Sequence, residues 1–225
     1  MNDDIFIFDK SGTILKGVED KAITSITIPG CVRIIGDSAF QNCTSLTSIT
    51  IPDGVTSIGE SAFEGCRSLT SITLPSGITS IEESLFAYCS GLTSIRIPDG
   101  VTSIGESAFW CCSGLTSIDI PSSVTSIGES AFEGCSGLKS IAIPSSVTRI
   151  RDCVFKRCTG LTSITIPAGV TSIGESAFAY CSSLTFIDLP FGIDYVGEYA
   201  FEGCPIEMVA LPKSAKYNPI FIDKK

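Results

Sequence analysis

Cysteine is the most versatile reactive residue type in this sequence, which has eleven cysteines and no histidine. Zinc binding is not expected, because the cysteines form no CxxC pair and have no histidine partner. Eight of them recur at a constant interval of 23 residues, at Cys43, Cys66, Cys89, Cys112, Cys135, Cys158, Cys181 and Cys204. Side chains that all point into one core run parallel rather than toward each other, so we predict a buried ladder of free thiols. Cys31, Cys111 and Cys153 lie outside this column and are candidates for oxidation, without a functional assignment.

Carboxylates form a second column, because every copy of the 23-residue unit carries an acidic residue eight positions after its proline. The column consists of Asp37, Glu60, Glu83, Glu106, Glu129, Asp152, Glu175 and Glu198. Stacked like charges repel, and we expect each carboxylate to lie near the unpaired amide N–H groups at the start of a short helical turn. A ladder of calcium sites is the alternative, although no Asp-rich loop accompanies the column.

Small hydroxyl side chains form a third pattern, since serine and threonine flank the first isoleucine of most units. Examples are Ser25 and Thr27, Ser48 and Thr50, Ser71 and Thr73, and Ser163 and Thr165. Such an array can in principle order water, as in ice-binding proteins, and this stays an alternative function. Arg96, Asp119 and Ala142 interrupt the array in the middle units and argue against it.

Composition and the absence of motifs disfavour several other functional classes. The net charge of −9 argues against nucleic acid or an anionic membrane as the main partner, because both require a broad basic surface. No apolar run is long enough to insert into a bilayer, and residues 1–10 do not resemble a signal peptide. Neither a GxSxG motif nor a glycine-rich phosphate loop is present. We therefore predict a protein that is not an enzyme and that needs no metal or cofactor.

The repeat itself has to position these side chains, and its proline and phenylalanine columns keep register over eight copies. The unit reads LxxIxIPxxVxxIGxxAFxxCxx. In the second copy, the alternation around Ile49 predicts a strand with one buried face, which Pro52 ends. The spacing of Ala62, Phe63 and Cys66 predicts one or two turns of α- or 3₁₀-helix. A single unit cannot bury enough apolar surface to offset the entropy of ordering it, so the units must stack into a cooperative rod.

The ends of such a rod need caps that cover its open strand edges. Residues 1–22 are predicted to form a capping hairpin, because IFIF and TILKG flank a KSG turn. Residues 23–205 hold eight repeats, the last one shortened, and residues 206–225 form a partial repeat and a C-terminal cap.

The motif LxxIxIPxxVxxIGxxAFxxC resembles the BspA-like, or Treponema pallidum-type, class of leucine-rich repeats over residues 23–211. The resemblance implies an α/β fold, a right-handed leucine-rich-repeat solenoid with a parallel sheet on its concave face and short strands and short helical turns on its convex side. It also implies a non-enzymatic binding module for protein or glycan recognition and adhesion, with host extracellular-matrix or surface proteins among the partners. A surface or secreted location follows from the resemblance, whereas the absent signal peptide leaves a cytoplasmic one open. A structural spacer is the alternative function.

Departures from the template on the predicted strand face are the candidate ligand-binding residues. Arg96 and Asp119 occupy diagonal positions in neighbouring units, where an exposed ion pair would contribute only about 0–1 kcal/mol. Phe186, Asp188 and Met208 replace small polar residues in the last units. The phenylalanine and methionine form either a small apolar anchor for a partner or the underside of the C-terminal cap.

A second candidate partner patch lies away from this strand face. The unit at 138–160 holds a third of the basic residues of the chain, namely Lys139, Arg149, Arg151, Lys156 and Arg157. Such a cluster is either a solvated face or a docking site for an acidic partner or glycan. Trp110, the only tryptophan, stands where other units carry glutamate or alanine, and it either contacts a partner or leans on the neighbouring turn.

Overall fold

The computed structural model describes residues 5–206 and 216–217, and its regular elements are short strands. In chain order they are β1 (Phe6–Phe8), β2 (Ile14–Val18), β3 (Ser25–Thr27), β4 (Ile34–Ile35), β5 (Ser48–Thr50), β6 (Ser57–Ile58), β7 (Ser80–Ile81), β8 (Ser94–Arg96), β9 (Ser103–Ile104), β10 (Ser117–Asp119), β11 (Ser126–Ile127), β12 (Arg149–Ile150), β13 (Ser163–Thr165), β14 (Ser172–Ile173), β15 (Phe186–Asp188), β16 (Tyr195–Val196) and β17 (Lys216–Tyr217).

Each 23-residue unit contributes to two parallel sheets, and we number the units 1 to 8 from residue 23. The first sheet is built from the segments that precede the prolines, so that Ile26 pairs with Ile49 of the next unit. The second sheet is built from the short strands that follow the prolines, so that Ile104 pairs with Ile127. Partners in both sheets are 23 residues apart, which confirms the predicted solenoid of stacked units with parallel sheets.

The third side of each coil is a turn wall, formed by the segment that contains the alanine and phenylalanine columns. The predicted helical turns are not confirmed, since the described residues of this segment form consecutive turns and no helix. In unit 2, Ser61 and Gly65 adopt φ values of +54° and +71°, which a right-handed helix does not allow. Alternate amides therefore point along the rod, and Ser61, Phe63 and Gly65 each donate to a carbonyl of the next unit at 2.8–3.0 Å.

Phenylalanine and cysteine fill the core behind the turn wall, as the repeat predicted. Rings of successive units stack with centroids 5.3–5.8 Å apart, from Phe40 through Phe201. Each column thiol from Cys66 onward donates a hydrogen bond to the carbonyl of the phenylalanine one unit back, as Cys112 does to Phe86 at 3.0 Å. The column thiol is therefore a small apolar filler and also a donor that fixes the next coil.

Both sheets are interrupted at the same two junctions, between units 2 and 3 and between units 5 and 6. The second sheet divides into β1-β2-β4-β6, β7-β9-β11 and β12-β14-β16-β17. Pairing in the first sheet stops at the same places, because β5 does not continue to Thr73 and β10 does not continue to Ala142. The turn wall crosses both junctions without a missing bond, as Ser130 N to Asp152 O at 3.0 Å shows for the second one. We call these two places the open junctions.

The cause of the open junctions lies in the glycine column of the repeat. A Cβ built at Gly59 would lie 2.6 Å from the amide nitrogen of Asp37, so a closed junction has no room for a side chain there. Units 3 and 6 carry Glu82 and Arg151 in this column, and they are the units that follow the open junctions. The same two units carry Leu85 and Val154 in place of the column's alanine. The phenylalanine rings are farthest apart at these junctions, at 5.6 and 5.8 Å.

The ends of the described solenoid extend the second sheet. Strands β1 and β2 form an antiparallel hairpin, and β2 pairs in parallel with β4. At the other end, β17 pairs in parallel with β16. Met208 and the predicted C-terminal cap, apart from 216–217, lie outside the described residues. The division into 1–22, 23–205 and 206–225 stays a prediction.

Replacing Arg157 by glycine should stabilise the protein, because this exposed residue is held at a φ of +59°. Units 2, 5 and 8 already carry glycine at the same position. We expect a gain of about 0.5–1 kcal/mol in the free energy of unfolding, measured by urea denaturation. The control is Arg67→Gly, which removes an equally exposed arginine where φ is not positive. It should lower the stability by a similar amount, and equal losses in both variants would contradict the strain at Arg157.

Candidate functional site

The predicted residues Arg96 and Asp119 lie on the exposed face of the first sheet. They are direct neighbours across the ladder rather than diagonal ones, because parallel strands shifted by one unit place equivalent positions opposite each other. No ion pair joins them among the described residues. Arg96 instead lines a groove of about 480 Å³ together with Leu74 and Pro98. We call this the unit 3 groove, since it lies next to the first open junction.

The structure describes only part of the predicted apolar anchor. Phe186 and Asp188 both lie on β15 with exposed side chains, and the phenylalanine is 64% exposed. Met208 lies outside the described residues, so its place relative to Phe186 stays a prediction.

Sequence reasoning missed three further exposed aromatic residues in unit 8. Phe191, Tyr195 and Tyr199 occupy positions where most units carry serine or another small residue, and Phe191 is 95% exposed. Together with Phe186 they make unit 8 the most aromatic part of the described surface. These three residues could have been predicted from the sequence, because they depart from the repeat template in the same way as Phe186.

Arg149 and Arg151 line a second groove, of about 420 Å³, which we call the unit 6 groove. It borders the second open junction and continues along the second sheet to Tyr195. The carboxylates of Glu129, Asp152 and Asp194 lie in the same lining. Neither guanidinium has an ion pair or hydrogen bond within residues 5–206 and 216–217. The groove therefore presents two free cations together with acceptor oxygens and an aromatic ring.

Of the other members of the predicted basic patch, Lys139 precedes the first-sheet segment of unit 6, and Lys156 and Arg157 lie on the turn wall. Lys156 Nζ lies 4.0 Å from Glu133 Oε1, and Arg157 is exposed. Trp110 is half-buried, and its ring centroid lies 4.8 Å from that of Tyr88 in the preceding unit. The tryptophan thus leans on the neighbouring turn. The structure brings Arg149 and Arg151 together in one groove, but it does not place the five predicted patch residues in one lining.

Burial makes the inner thiols of the cysteine column unreactive, whereas a hydrogen bond with Cys181 lowers the pKa of the half-buried Cys204 at the end of the column. Burial raises the pKa of Cys66 to about 12 and holds the pKa values of Cys89 and Cys135 well above the ordinary range. A thiol that stays protonated is a poor nucleophile and a poor metal ligand. Cys111 and Cys153 are half-buried, and burial raises their pKa values as well.

The acidic column contributes to stacking at its two aspartates. Asp37 Oδ1 accepts the amide N–H of Glu60 at 3.0 Å, and Asp152 Oδ1 accepts that of Glu175 at 2.8 Å. Each aspartate therefore binds the next unit rather than the start of a helix. No group of three or more Cys, Asp or Glu side chains in the described part of the chain is arranged to hold a metal ion.

Threonine hydroxyls also join neighbouring coils, at columns other than the proposed water-ordering array. Thr47 Oγ1 donates to Thr24 O at 2.8 Å, and Thr116 Oγ1 donates to Thr93 O at 3.1 Å. The array itself, which includes Ser48 and Thr50, is exposed. The open junctions interrupt its spacing twice, which works against a regular lattice of bound water.

Comparison with known families identifies the repeat. The model of the BspA type leucine-rich repeat region matches residues 18–118 and 102–219, in six copies. No curated protein matches the chain. Within the described ranges, no helix has the length and apolar character needed to cross a membrane.

Solved structures with the same architecture come from several bacteria. A leucine-rich repeat protein from Bacteroides ovatus is 30% identical, with a TM-score of 0.86 over 96% of this chain, which spans 60% of that protein. The Treponema pallidum leucine-rich repeat protein is 27% identical, with a TM-score of 0.73 over 82% of this chain and 90% of that one. A leucine-rich cell surface protein from Faecalibacterium prausnitzii is 27% identical, with a TM-score of 0.51 over 93% of this chain and 81% of that one. The resemblance predicted from the repeat motif is thereby confirmed, and the chain belongs to the BspA-type leucine-rich repeat family.

Proposed function

We propose that this chain is a non-enzymatic recognition module that binds a protein or glycan through the outer surface of its solenoid. Leucine-rich repeat solenoids are in general protein-interaction scaffolds and are typically non-enzymatic. The similar Faecalibacterium prausnitzii protein is a cell surface protein, which supports a surface or secreted location for this chain. Adhesion to a host surface or matrix protein is the specific form of this function that we propose.

The observation that carries the proposal is the group of exposed aromatic residues on unit 8. Four positions that most other units fill with serine or another small residue hold Phe186, Phe191, Tyr195 and Tyr199. Exposed aromatic rings cost solubility, and they are the residue types that dominate the binding energy of protein interfaces. They lie on different sides of the coil, with Phe186 on the first sheet, Tyr195 on the second sheet and Tyr199 on the turn wall, so unit 8 offers an aromatic contact on each side.

The rigidity of the rod supports the same conclusion. The unbroken turn wall holds the backbone of each unit to its neighbours, and parallel ladders add to it except at the two open junctions, so a partner meets a surface that is already ordered. Preorganised side chains lose little conformational entropy on binding. A few aromatic anchors on such a surface are therefore sufficient for a specific contact.

Capture from host cell-surface extract and an array of extracellular-matrix proteins test this function. We expect the native chain to bind at least one protein, and Phe186→Ser/Phe191→Ser to weaken that binding at least about tenfold. Tyr180→Ser is the matched control, since it removes an exposed aromatic side chain from unit 7. Its affinity should equal that of the native chain.

Two outcomes would overturn the proposal. Failure to capture any protein or glycan would favour the spacer role, and thermal hysteresis without capture would favour water ordering. Equal weakening by Tyr180→Ser would mean that unit 8 has no special part in binding.

A further inference from the structure

We propose that the unit 6 groove is a binding site for an anionic saccharide, a carboxylated or sulfated sugar of two to three residues. The inference rests on the proposed recognition function and names one ligand class for it. The groove volume of about 420 Å³ lies within the range of small-ligand sites in proteins.

The groove contains two arginine side chains whose hydrogen-bond donors have no acceptor in the described part of the protein. Arg149 lies in β12 and Arg151 directly follows this strand, separated from Arg149 by the buried Ile150, and both line the groove. Neither has an acceptor in the described part of the chain. Guanidinium groups bind carboxylate and sulfate oxygens in a bidentate manner. Two free guanidiniums on one wall therefore define the place of the anionic group.

The open junction adds a backbone donor to the same place. The amide of Arg151 donates to no carbonyl within the described ranges, whereas Gly128 N, its equivalent in unit 5, donates to Ile104 O at 2.8 Å. Replacing the column glycine by arginine thus has two effects. It opens the junction, which frees the amide, and it supplies a cation beside the freed amide.

The other residues that line the groove suit a sugar better than an acidic peptide. Tyr195 lies two units from Arg149 along the second sheet, roughly 10 Å away, and its ring is 52% exposed. Asp152, Asp194 and Ser172 supply oxygen acceptors that sugar hydroxyls can use. Together with Glu129, these carboxylates would repel a ligand that carries several anionic groups, such as a run of glutamates. One anionic group, several hydroxyls and an apolar ring face match this lining together.

The first open junction shows that opening alone does not make this site. Glu82 takes the place of the column glycine in unit 3, and its carboxylate accepts a hydrogen bond from the Ser80 hydroxyl. The equivalent strand position is serine rather than arginine, so no pair of cations forms. The donor set is confined to unit 6, where Arg149 and Arg151 depart from the template together.

Calorimetric titration of the full chain with defined oligosaccharides tests the site. The anionic probes are 3′-sialyllactose and 3′-sulfated lactose, which carry one anionic group each, the neutral control is the methyl ester of 3′-sialyllactose, and hexaglutamate represents an acidic peptide. We expect at least one anionic saccharide to bind, more weakly as salt is raised, and the neutral ester to bind at least about tenfold more weakly.

Three variants locate the binding. Arg149→Ser/Arg151→Gly and the milder Arg151→Gln should each weaken saccharide binding at least about tenfold, and Tyr195→Ser should weaken it by about fivefold through loss of ring contact. Lys10→Ser/Arg67→Ser removes two exposed cations distant from the groove in sequence and should leave the affinity unchanged.

The outcomes separate this site from the proposed function. If neither anionic saccharide binds, if the neutral ester binds equally well, or if hexaglutamate binds more tightly, the saccharide assignment is wrong. If a captured protein stays bound in the arginine variants while no saccharide binds, the recognition function stands and only this site fails. If nothing is captured and no saccharide binds, both proposals fail.

Discussion

Raising the pH to about 10 should strongly destabilise this protein, because the buried thiols of the cysteine column can ionise only in the unfolded chain. Burial raises the pKa of five of them above the ordinary value of 9.0, namely Cys66, Cys89, Cys112, Cys135 and Cys158. The stabilisation is fully present below pH 9.0, where both states are protonated. Above it the unfolded state releases protons that the folded state retains, so stability falls until the pH reaches the folded pKa.

The size of this effect follows from the number of thiols. Each contributes a loss of about 1.4 kcal/mol per pH unit above the unfolded pKa, so five together lower the free energy of unfolding by about 7 kcal/mol at pH 10. That is comparable to the whole stability of an ordinary domain, about 5–15 kcal/mol. Urea denaturation followed by circular dichroism between about pH 7 and pH 10, with a reductant present, measures the slope.

A single-cysteine variant separates the thiols from other alkaline effects. Cys135→Ala removes one buried thiol, so its free energy of unfolding should fall less steeply with pH, by about 1.4 kcal/mol per unit. Cys31→Ala removes the exposed cysteine and should leave the slope unchanged. A free energy of unfolding that stays flat from pH 8 to about pH 10 would show that the column does not titrate as a buried set.

The interior of the fold could be predicted from the sequence because its signal is repeated eight times. Phe63 and Cys66 recur without slip, and a side chain repeated at one position of every coil must stack on its equivalents. The helical turns expected in the turn wall are not confirmed, since the spacing of Ala62, Phe63 and Cys66 also fits a series of turns with left-handed residues at Ser61 and Gly65. In the sequence, Gly65 indicates a left-handed residue at this position, because glycine adopts its observed φ of +71° without strain.

The candidate sites were harder to predict because they depend on distances between coils. Arg149 and Arg151 were visible as departures from the template, but the groove they line also requires the open junction. Lys156 and Arg157 are only a few residues further on, yet they lie on the turn wall. Because each coil contains 23 residues, residues a few positions apart can lie on different sides of the rod, whereas residues 23 positions apart lie next to each other in neighbouring coils.

Placing an arginine at Gly128 should open a third junction and strongly destabilise the rod. A Cβ at this position would lie 2.5 Å from both the amide nitrogen of Glu106 and the carbonyl carbon of Gly105, so units 4 and 5 would have to separate. The bonds lost include Gly128 N to Ile104 O at 2.8 Å and Thr125 N to Thr102 O at 2.9 Å, along with the strand pairs of both sheets.

The expected cost is the sum of several backbone hydrogen bonds. At about 0.5–1.5 kcal/mol each, loss of four or five gives about 3–6 kcal/mol in the free energy of unfolding, measured in urea. Gly30→Arg is the control, because a Cβ there would meet no atom within 4 Å. It should change the stability by less than about 0.5 kcal/mol.

The reverse substitution tests the same cause in the opposite direction. Arg151→Gly removes the side chain that holds units 5 and 6 apart, although Val154 still occupies the alanine column beside it. The double variant Arg151→Gly/Val154→Ala should therefore restore the bond from residue 151 N to Ile127 O, and slow hydrogen exchange at that amide would report it. Exchange in this variant as fast as in the native chain, together with a small loss for Gly128→Arg, would mean that the glycine column does not control the junctions. Slow exchange would show that the glycine and alanine columns together decide whether neighbouring units close, and that the chain departs from both columns beside the groove that Arg149 and Arg151 line.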